Sequence, residues 1–426
     1  MLLSNVLPLS LHIVLSSFLV QETLAQSMRF RLRHAHGLVT NSSRVVFSDI
    51  DSAVQFTGEN ALEISTKPMK IHRPRSQADF FAARIPGRLQ NDLVWDETDV
   101  VGPDVRSQET LRLLANMTGN AYYEDRSKKG WYDLDPEWNT SYPFGWEPDA
   151  DGFRGHIFAN EDNSTVILSV KGTSAGWMVG GGGPTVRKDK VNDNLLFSCC
   201  CARVGPTWST VCGCYEGNYK CDQNCLEDSL VEESLFYSVG VNLYNNVTYM
   251  YPNANIWLTG HSLGGSLSSL IGVTFGAPVV AFEAPGERLA ASRLHLPSPP
   301  SLQHIIHVYH NADPIPQGKC TGVSSACALG GYALETGCHL GKTILYDTVS
   351  QLGWSVDART HGIAVIVERL LSTEWEGGIP EPVEETDCVD CFAWEFGNFR
   401  NASLQGCNAG RVKPQPKLVM QVGGYQ

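Results

Sequence analysis

A serine flanked by small residues stands inside the segment Ile256–Gly265, which reads IWLTGHSLGG. Gly260, Ser262 and Gly264 give it the pattern G-x-S-x-G. A serine nucleophile sits on a sharp strand-to-helix turn, and the residues two before and two after it must be small to fit that turn. An apolar run precedes the motif and a Gly/Ser/Leu run follows it. We predict that Ser262 is a hydrolase nucleophile; the alternative is a glycine-rich turn with an incidental serine.

The nucleophile needs a base, and the base needs an acid that orients it. In α/β-hydrolases the acid follows the serine in the chain and emerges from the end of a later strand. Asp313 fits this position because it follows the strand-like run Ile305–Tyr309. Asp347 and Asp357 are competitors that follow no such clear strand. An aspartate that only caps a turn is the plainer alternative for Asp313.

Two histidines follow Asp313 in the chain. His361 lies in a loop before the last amphipathic segment, where the histidine of this fold normally lies, so we predict that it is the base. His339 is the alternative, although it stands beside a cysteine that we expect to be bonded. His307 and His310 precede Asp313 and are expected to pack at a strand end or line a pocket.

Two backbone N–H groups should stabilise the oxyanion of the reaction. The first is the amide of Leu263, at the start of the predicted helix after Ser262, where free donors and the helix dipole face developing negative charge. The second is expected from Thr173, which follows the strand-like run Val166–Val170, through its amide and its hydroxyl. The plainer reading of Thr173 is a turn at a strand end.

Short apolar runs alternate with helical patterns in the middle of the chain, which is typical of a mostly parallel sheet with helices on both faces. The sequence therefore predicts an α/β-hydrolase fold with a cysteine-rich insertion. The predicted strands are 165–170, 256–258, 279–282 and 305–309, and the predicted helices are 109–118, 229–249, 264–273 and 362–371.

The composition excludes one class of partner. The chain of 426 residues has a formal net charge of -13 and no basic run, so its surface should repel the phosphates of nucleic acids. No motif calls for a cofactor or a metal. The dense cysteines between 199 and 225 could form a zinc site, but their spacing lacks two clean C-x-x-C pairs, and disulfides are favoured.

The N-terminus carries an apolar run, Leu2–Val20, that can be a cleaved secretory signal or a membrane anchor. Three arginines after it would favour a cytoplasmic body under the positive-inside rule. The 13 cysteines and six N-x-S/T sequons instead indicate a glycosylated domain in an oxidising lumen. The sequons begin at Asn41, Asn116, Asn139, Asn163, Asn246 and Asn401.

At its serine motif and in several other segments, the sequence resembles the fungal lipase-3 group, and it is similar to the autophagic-body lipases of fungal vacuoles. The resemblance extends from about Met28 to Cys407, and the cysteine-bearing segments are its more specific part. It rests on Gly172–Thr173, Gly260–Gly265 (GHSLGG), Thr274–Pro278 (TFGAP), Asp313–Pro314, Val170–Ser174 (VKGTS), Phe197–Cys201 (FSCCC), Phe282–Gly286 (FEAPG), Gly337–Gly341 (GCHLG), Arg359–Ile363 (RTHGI) and Asp387–Cys391 (DCVDC).

The resemblance implies triacylglycerol lipase or phospholipase activity on membrane lipids and binding of phosphoinositides. It also implies an uncleaved anchor, a luminal domain and delivery through multivesicular bodies to the vacuole. There, members break down the membranes of autophagic bodies and multivesicular-body vesicles. The expected division of the chain is an anchor at 1–27, a lipase domain at 28–410 with its insertion at about 175–228, and a polar tail at 411–426.

The sequence is consistent with three functions. The first is hydrolysis of membrane lipids by Ser262, Asp313 and His361. The second is a secreted esterase for soluble or cell-wall esters, and the third is a catalytically idle lipid-binding protein on the same fold. The segment 175–183 mixes bulky apolar residues with glycines and is predicted to be a lid, a disordered loop being the alternative. Because burial of His361 should partly offset Asp313, we expect kcat/KM to persist into acid.

Overall fold

The strands among the described residues form one large sheet and three small ones. The computed structural model describes residues 26–28, 30–32, 34–38, 45–49, 64–85, 93–125, 127–134, 143–146, 152–160, 162–174, 185–202, 208–233 and 235–400. Within these ranges the strands are β1 Gln26–Met28, β2 Phe30–Leu32, β3 His34–Leu38, β4 Val45–Asp49, β5 Ile64–Pro74, β6 Trp95–Pro103, β7 Pro143–Phe144, β8 Gly155–Asn160, β9 Thr165–Val170, β10 Tyr215–Gly217, β11 Lys220–Asp222, β12 Asn255–His261, β13 Val279–Phe282, β14 Ile305–His310, β15 Lys342–Tyr346, β16 Val383–Glu384 and β17 Glu395–Gly397.

The large sheet has its parallel strands at the centre. Its order is β16-β15-β14-β13-β12-β9-β8-β2, with β7 paired to β8. The strands from β9 to β15 in this order run parallel to their neighbours, and the outer strands join antiparallel. Every residue of β9, β13 and β14 is buried, which explains why these runs lack polar alternation. The predicted α/β-hydrolase fold is confirmed.

Helices cover both faces of this sheet. They are α1 Gln77–Ala83, α2 Gln108–Asn120, α3 Val186–Leu196, α4 Gln223–Glu233, α5 Leu235–Met250, α6 Leu263–Phe275, α7 Arg288–Arg293, α8 Ala326–Leu329, α9 Thr348–Leu352 and α10 Ile363–Val365, with a 3₁₀ turn Ala358–His361 and a π turn Ile366–Leu370.

Strand β12 shows how the two faces are filled. Successive side chains of a strand point to opposite faces. Ile256 and Leu258 accordingly join the hydrophobic cluster that contains the apolar residues of α6. Trp257 joins the other cluster, which includes residues of α2 and the π turn. Strand β12 is therefore held by packing on both of its faces, which also fixes the position of Ser262, the next residue.

One predicted helix differs from the one observed. The predicted helix 229–249 corresponds to α4 and α5, and Ser234 between them lies outside the described residues. The run 362–371 is a three-residue helix that continues as a π turn, in which the Leu371 amide bonds the Ile366 carbonyl. The β-branched residues of this run lower its helix propensity slightly.

The predicted disulfides are confirmed, and they bind the insertion to the rest of the domain. Twelve cysteines pair, so their sulfurs cannot serve as thiolate ligands of zinc. The thirteenth, Cys407, lies outside the described residues. The pairs are Cys199–Cys391, Cys200–Cys221, Cys201–Cys212, Cys214–Cys225, Cys320–Cys327 and Cys338–Cys388. Strand β17 also pairs with β11, which holds the C-terminal part of the domain against the insertion.

Several predicted features fall partly or wholly outside the described residues. They include the apolar run Leu2–Val20, the lid 175–183, the tail 411–426 and the sequons at Asn41, Asn139 and Asn401. The end of the predicted anchor is an exception, because Gln26 and Ser27 belong to β1 and pair with β5. None of the helices in the described ranges combines the length and the hydropathy needed to cross a bilayer.

Candidate active site

Ser262 occupies the turn between β12 and α6 in a backbone conformation that is unusual for serine. Its φ is 56° and its ψ is -131°. The turn is tight on both sides, since a Cβ atom on Gly264 would stand 2.3 Å from the Val170 carbonyl oxygen. A Cβ on Gly260 would stand 2.4 Å from the backbone of Gly264. The small residues around Ser262 are therefore required by the backbone itself.

The side chains of Ser262, His361 and Asp313 form one hydrogen-bonded line. His361 Nε2 lies 2.8 Å from Ser262 Oγ, and His361 Nδ1 lies 2.6 Å from Asp313 Oδ2. All three side chains are buried. Because ionised Asp313 only accepts, Nδ1 carries a proton, and in the neutral form of the imidazole the lone pair of Nε2 faces the serine hydroxyl. This is the arrangement that lets an imidazole remove a proton from an alcohol.

Asp313 comes from the loop after β14, and its second oxygen is also bonded. Oδ1 accepts a hydrogen bond from the Ile315 amide at 2.9 Å. Burial would raise the pKa of Asp313, but the facing His361 and these hydrogen bonds outweigh it and lower the pKa. The carboxylate is therefore charged and held by N–H groups on both oxygens.

The competing residues lie elsewhere. Asp347 caps α9 by accepting from the Ser350 amide, and Asp357 caps the 3₁₀ turn and pairs with Arg359. His339 is buried against the Glu385 carboxylate and the Ala284 carbonyl. His307 and His310 are buried on β14, and His307 pairs with Glu287. Among the predicted acids and bases, the structure brings Asp313 and His361 to the serine.

The two residues predicted to supply the oxyanion donors border the serine. Leu263 is the first residue of α6, so its amide belongs to the first turn, which has no intrahelical acceptor. The loop that carries Thr173 lies directly against the turn, because a Cβ on Gly172 would stand 3.1 Å from Ser262 Cβ. The Thr173 hydroxyl donates to Asp193 Oδ2 at 2.6 Å. With the hydroxyl engaged in this way, the amide of Thr173 is the better candidate donor.

Buried ionisable side chains fix the loop of Thr173. Asp189 and Asp193 are one turn apart on α3, and Asp189 accepts from the Ser174 amide at 2.8 Å. The Lys171 ammonium donates to the Gly172 carbonyl at 2.7 Å and lies 3.5 Å from Asp189. Burial lowers the pKa of Lys171 and raises that of Asp193 to about 8. The loop is therefore anchored on both sides of Thr173.

Several residues at the site were not predicted from the sequence. Tyr122 donates its hydroxyl proton to Nδ1 of His261, 2.6 Å away, and Glu283 lies buried beside Asp313. Asp189 and Asp193 belong to this group too. Their i, i+4 spacing on one face of α3 was the one signal that the sequence offered. His261 stands inside the serine motif, but nothing in that motif indicates its partners.

Three comparisons relate the chain to known proteins. Residues 229–320 match the family model "Lipase (class 3)". A protein named "Putative lipase ATG15" from Cryptococcus neoformans is 50% identical over 368 residues, covering 72% of this chain and 70% of its own length. Its namesake from Pichia angusta is 47% identical over 374 residues, covering 84% of this chain and 69% of its own length. The LIP2 lipase structure of Yarrowia lipolytica is 16% identical, covers 58% of this chain and 81% of its own, and has a TM-score of 0.34.

Proposed function

The chain belongs to the ATG15 family of lipases and is a carboxylic-ester hydrolase, and we propose that Ser262, His361 and Asp313 carry out its reaction on membrane lipids. The observation that carries this assignment is the continuous hydrogen-bonded line from the serine hydroxyl through the imidazole to the carboxylate. A histidine so placed can act first as a base and then as an acid.

In the first step, Ser262 Oγ attacks the ester carbonyl carbon of the lipid while His361 Nε2 takes the hydroxyl proton. The C=O π electrons move onto the carbonyl oxygen, which becomes an oxyanion. The amides of Leu263 and Thr173 donate to this oxyanion. Asp313 keeps Nδ1–H in place and stabilises the imidazolium that forms.

The tetrahedral intermediate then collapses. The bond between the carbonyl carbon and the lipid alkoxide breaks, and His361 gives its proton to the leaving oxygen, so that the alcohol part of the lipid departs. Water attacks the remaining acyl-serine with His361 again as base. The second collapse returns the proton to Ser262 Oγ and releases the fatty acid.

The substrate class and the location rest on the family resemblance. We assign triacylglycerols, phospholipids or both as substrates, and phosphoinositides as further lipid partners. The lipase domain lies in the lumen of the endomembrane system on an N-terminal anchor, is glycosylated at its sequons, and reaches the vacuole through the multivesicular body. Its work there is the lysis of autophagic bodies and of multivesicular-body vesicles. The disulfides agree with an oxidising lumen.

Purified protein tests this function on two substrates, phosphatidylcholine vesicles and emulsified triacylglycerol, with products identified by mass. We expect fatty acid release and labelling by a fluorophosphonate serine probe, both lost in Ser262→Ala. Ser266→Ala is the matched control, because Ser266 lies one turn further along α6 and bonds the Pro285 carbonyl. Hydrolysis of soluble esters alone would point to the esterase alternative. Lipid binding without labelling or products would reject the enzymatic assignment.

A further inference from the structure

A second carboxylic acid, Glu283, lies directly behind Asp313. Glu283 follows the last residue of β13, its side chain is fully buried, and its φ is 44°. A non-glycine residue in this left-handed region is strained, and such residues collect at functional sites. The Glu283 amide bonds the Val308 carbonyl at 3.0 Å, so the strained backbone is firmly held between β13 and β14.

The two oxygens of Glu283 differ in their partners. Oε1 accepts a hydrogen bond from the His310 amide at 3.2 Å. Oε2 is buried, and no donor among the described residues reaches it. A buried carboxylate oxygen without a donor is costly, whereas a protonated carboxyl oxygen can itself donate. The carboxyl group is in contact with Asp313, which accepts but does not donate when ionised.

Two buried carboxyl groups in contact cannot both be ionised. Asp313 keeps the negative charge because the N–H groups of His361 and Ile315 point at it. Glu283 faces no comparable donor pair. Burial and the charge of Asp313 therefore hold the pKa of Glu283 well above its usual value, which favours the protonated carboxyl group.

We propose that Glu283 is a positioning residue that donates its carboxyl proton to Asp313 and so keeps His361 neutral to a lower pH than an undisturbed Asp–His pair would allow. This inference rests on the proposed function. A donor on Asp313 draws electron density away from the oxygens that face His361, and the carboxylate then stabilises a positive imidazolium less. The base stays usable in an acidic lumen, while its orientation is unchanged.

Other titratable groups surround this pair. His261 faces His361 from β12, and His310 on β14 lies with Nε2 3.7 Å from Glu283 Oε1. Tyr309, also on β14, acts on Glu283 through space, and Arg369 acts on His310 from the π turn. Burial lowers the pKa of both His261 and His310, so neither brings a positive charge to the pair in the neutral range. The protonation of Glu283 thus determines the net charge of the Glu283–Asp313 pair.

Two substitutions of Glu283 distinguish the effect of its charge from the effect of its hydrogen-bond donor. Glu283→Gln keeps a neutral donor, and we expect the acid limb of kcat/KM to stay within about 0.2 pH units of wild type. Glu283→Ala removes the donor, and we expect the limb to move up by about 0.5 to 1 pH unit, which lowers kcat/KM three- to tenfold at the foot of the limb. If the alanine variant fails to fold, Glu283→Asn replaces it, because asparagine tolerates a positive φ but is shorter by one methylene.

Glu287→Gln is the matched control. Glu287 is an equally buried glutamate of the same connection, but its partners are His307 and Ser269 rather than Asp313. We expect it to lower the melting temperature and to leave the acid limb in place. The low-field ¹H signal of the His361 Nδ1 proton gives an independent measure of imidazole protonation without any substrate.

If Glu283 were ionised, its substitution would shift the acid limb of kcat/KM downward, because removing a second negative charge makes the imidazolium harder to form. A downward shift of the acid limb in Glu283→Gln, or unchanged limbs and unchanged low-field titrations in both variants, would overturn the proposal. These outcomes are distinct from failure of the proposed function. In that case wild type itself would show no hydrolysis that depends on Ser262.

Discussion

His261 donates a hydrogen bond from Nε2 to the backbone carbonyl oxygen of His361, which lies 2.6 Å away. A carbonyl oxygen only accepts, so Nε2 must carry the proton. Burial lowers the pKa of His261 to about 3, which leaves the ring neutral with a free lone pair on Nδ1. That atom accepts from the hydroxyl of Tyr122. His261, the residue before the proposed nucleophile, thus holds the backbone of the proposed base.

We predict that Tyr122→Phe lowers kcat/KM about tenfold, the effect of losing one hydrogen bond worth about 1.4 kcal/mol. Without the hydroxyl, the Nδ1 lone pair of buried His261 has no donor, and the ring no longer holds the His361 carbonyl firmly. Steady-state kinetics on a short soluble ester measure the effect free of lipid binding. Tyr123→Phe is the control, because its hydroxyl lies beside Gly130, away from His261. Equal activity of Tyr122→Phe and wild type would contradict the prediction.

We predict that Asp193→Ala lowers kcat about 100-fold with little change in KM, because the Thr173 hydroxyl then loses its anchor and the proposed oxyanion donor is misplaced. Asp193→Asn keeps an acceptor for Thr173 and should lose less than tenfold. Pre-steady-state acylation rates separate this effect on the transition state from an effect on substrate binding. Similar losses of kcat in the alanine and asparagine variants would argue against the anchoring role.

We predict that Gly264→Ala destabilises the protein by about 3 kcal/mol or prevents folding. The new Cβ would stand 2.3 Å from the Val170 carbonyl oxygen and 2.6 Å from that of Lys171, and these backbone atoms belong to the sheet and the neighbouring loop. Urea unfolding compares this variant with Gly213→Ala, whose Cβ would find its nearest neighbour at 3.6 Å. The control should change stability by less than about 0.5 kcal/mol. Matching unfolding midpoints in the two variants would show that the turn can relax.

The pair His339–Glu385 should stabilise the fold most strongly in mild acid. Burial would lower the pKa of His339, but Glu385 and Glu287 raise it above 6.5, so its contribution is complete below that pH and fades as pH rises through the raised value. Burial would raise the pKa of Glu385, but His339 brings it down to about 2, so its contribution is complete above 4.5 and fades toward pH 2. Both contributions to stability are therefore complete between pH 4.5 and pH 6.5, the ordinary pKa values of the two groups.

We therefore predict that Glu385→Gln lowers stability by about 1 to 2 kcal/mol near pH 5.5 and by less above pH 8. Partial exposure of Glu385 screens the pair and keeps the loss moderate. Thermal unfolding across this pH range measures the difference from wild type. Glu381→Gln, which removes only a surface pair with Arg106, should show a small loss at every pH. A difference that grows toward alkaline pH would refute the assignment.

The sequence predicted what depends on local pattern. Ser262 and the four central strands were predicted because a tight turn and a strand buried on both faces each leave a short signature. Asp313 and His361 followed from chain order in the fold. Glu283, Asp193 and Tyr122 were not found, because their roles arise only when β13, α3 and the end of α2 meet the serine turn. The partners of the cysteines could not be read for the same reason.

The disulfide Cys199–Cys391 closes a loop of the chain that contains Ser262, Asp313 and His361. A protease that cuts one peptide bond anywhere between these two cysteines produces two fragments that remain covalently joined. A molecule cut once therefore keeps all three side chains together, because the sheet and the disulfide bond hold the two fragments. In the degradative compartment that we propose for this enzyme, this topology makes a single cleavage survivable.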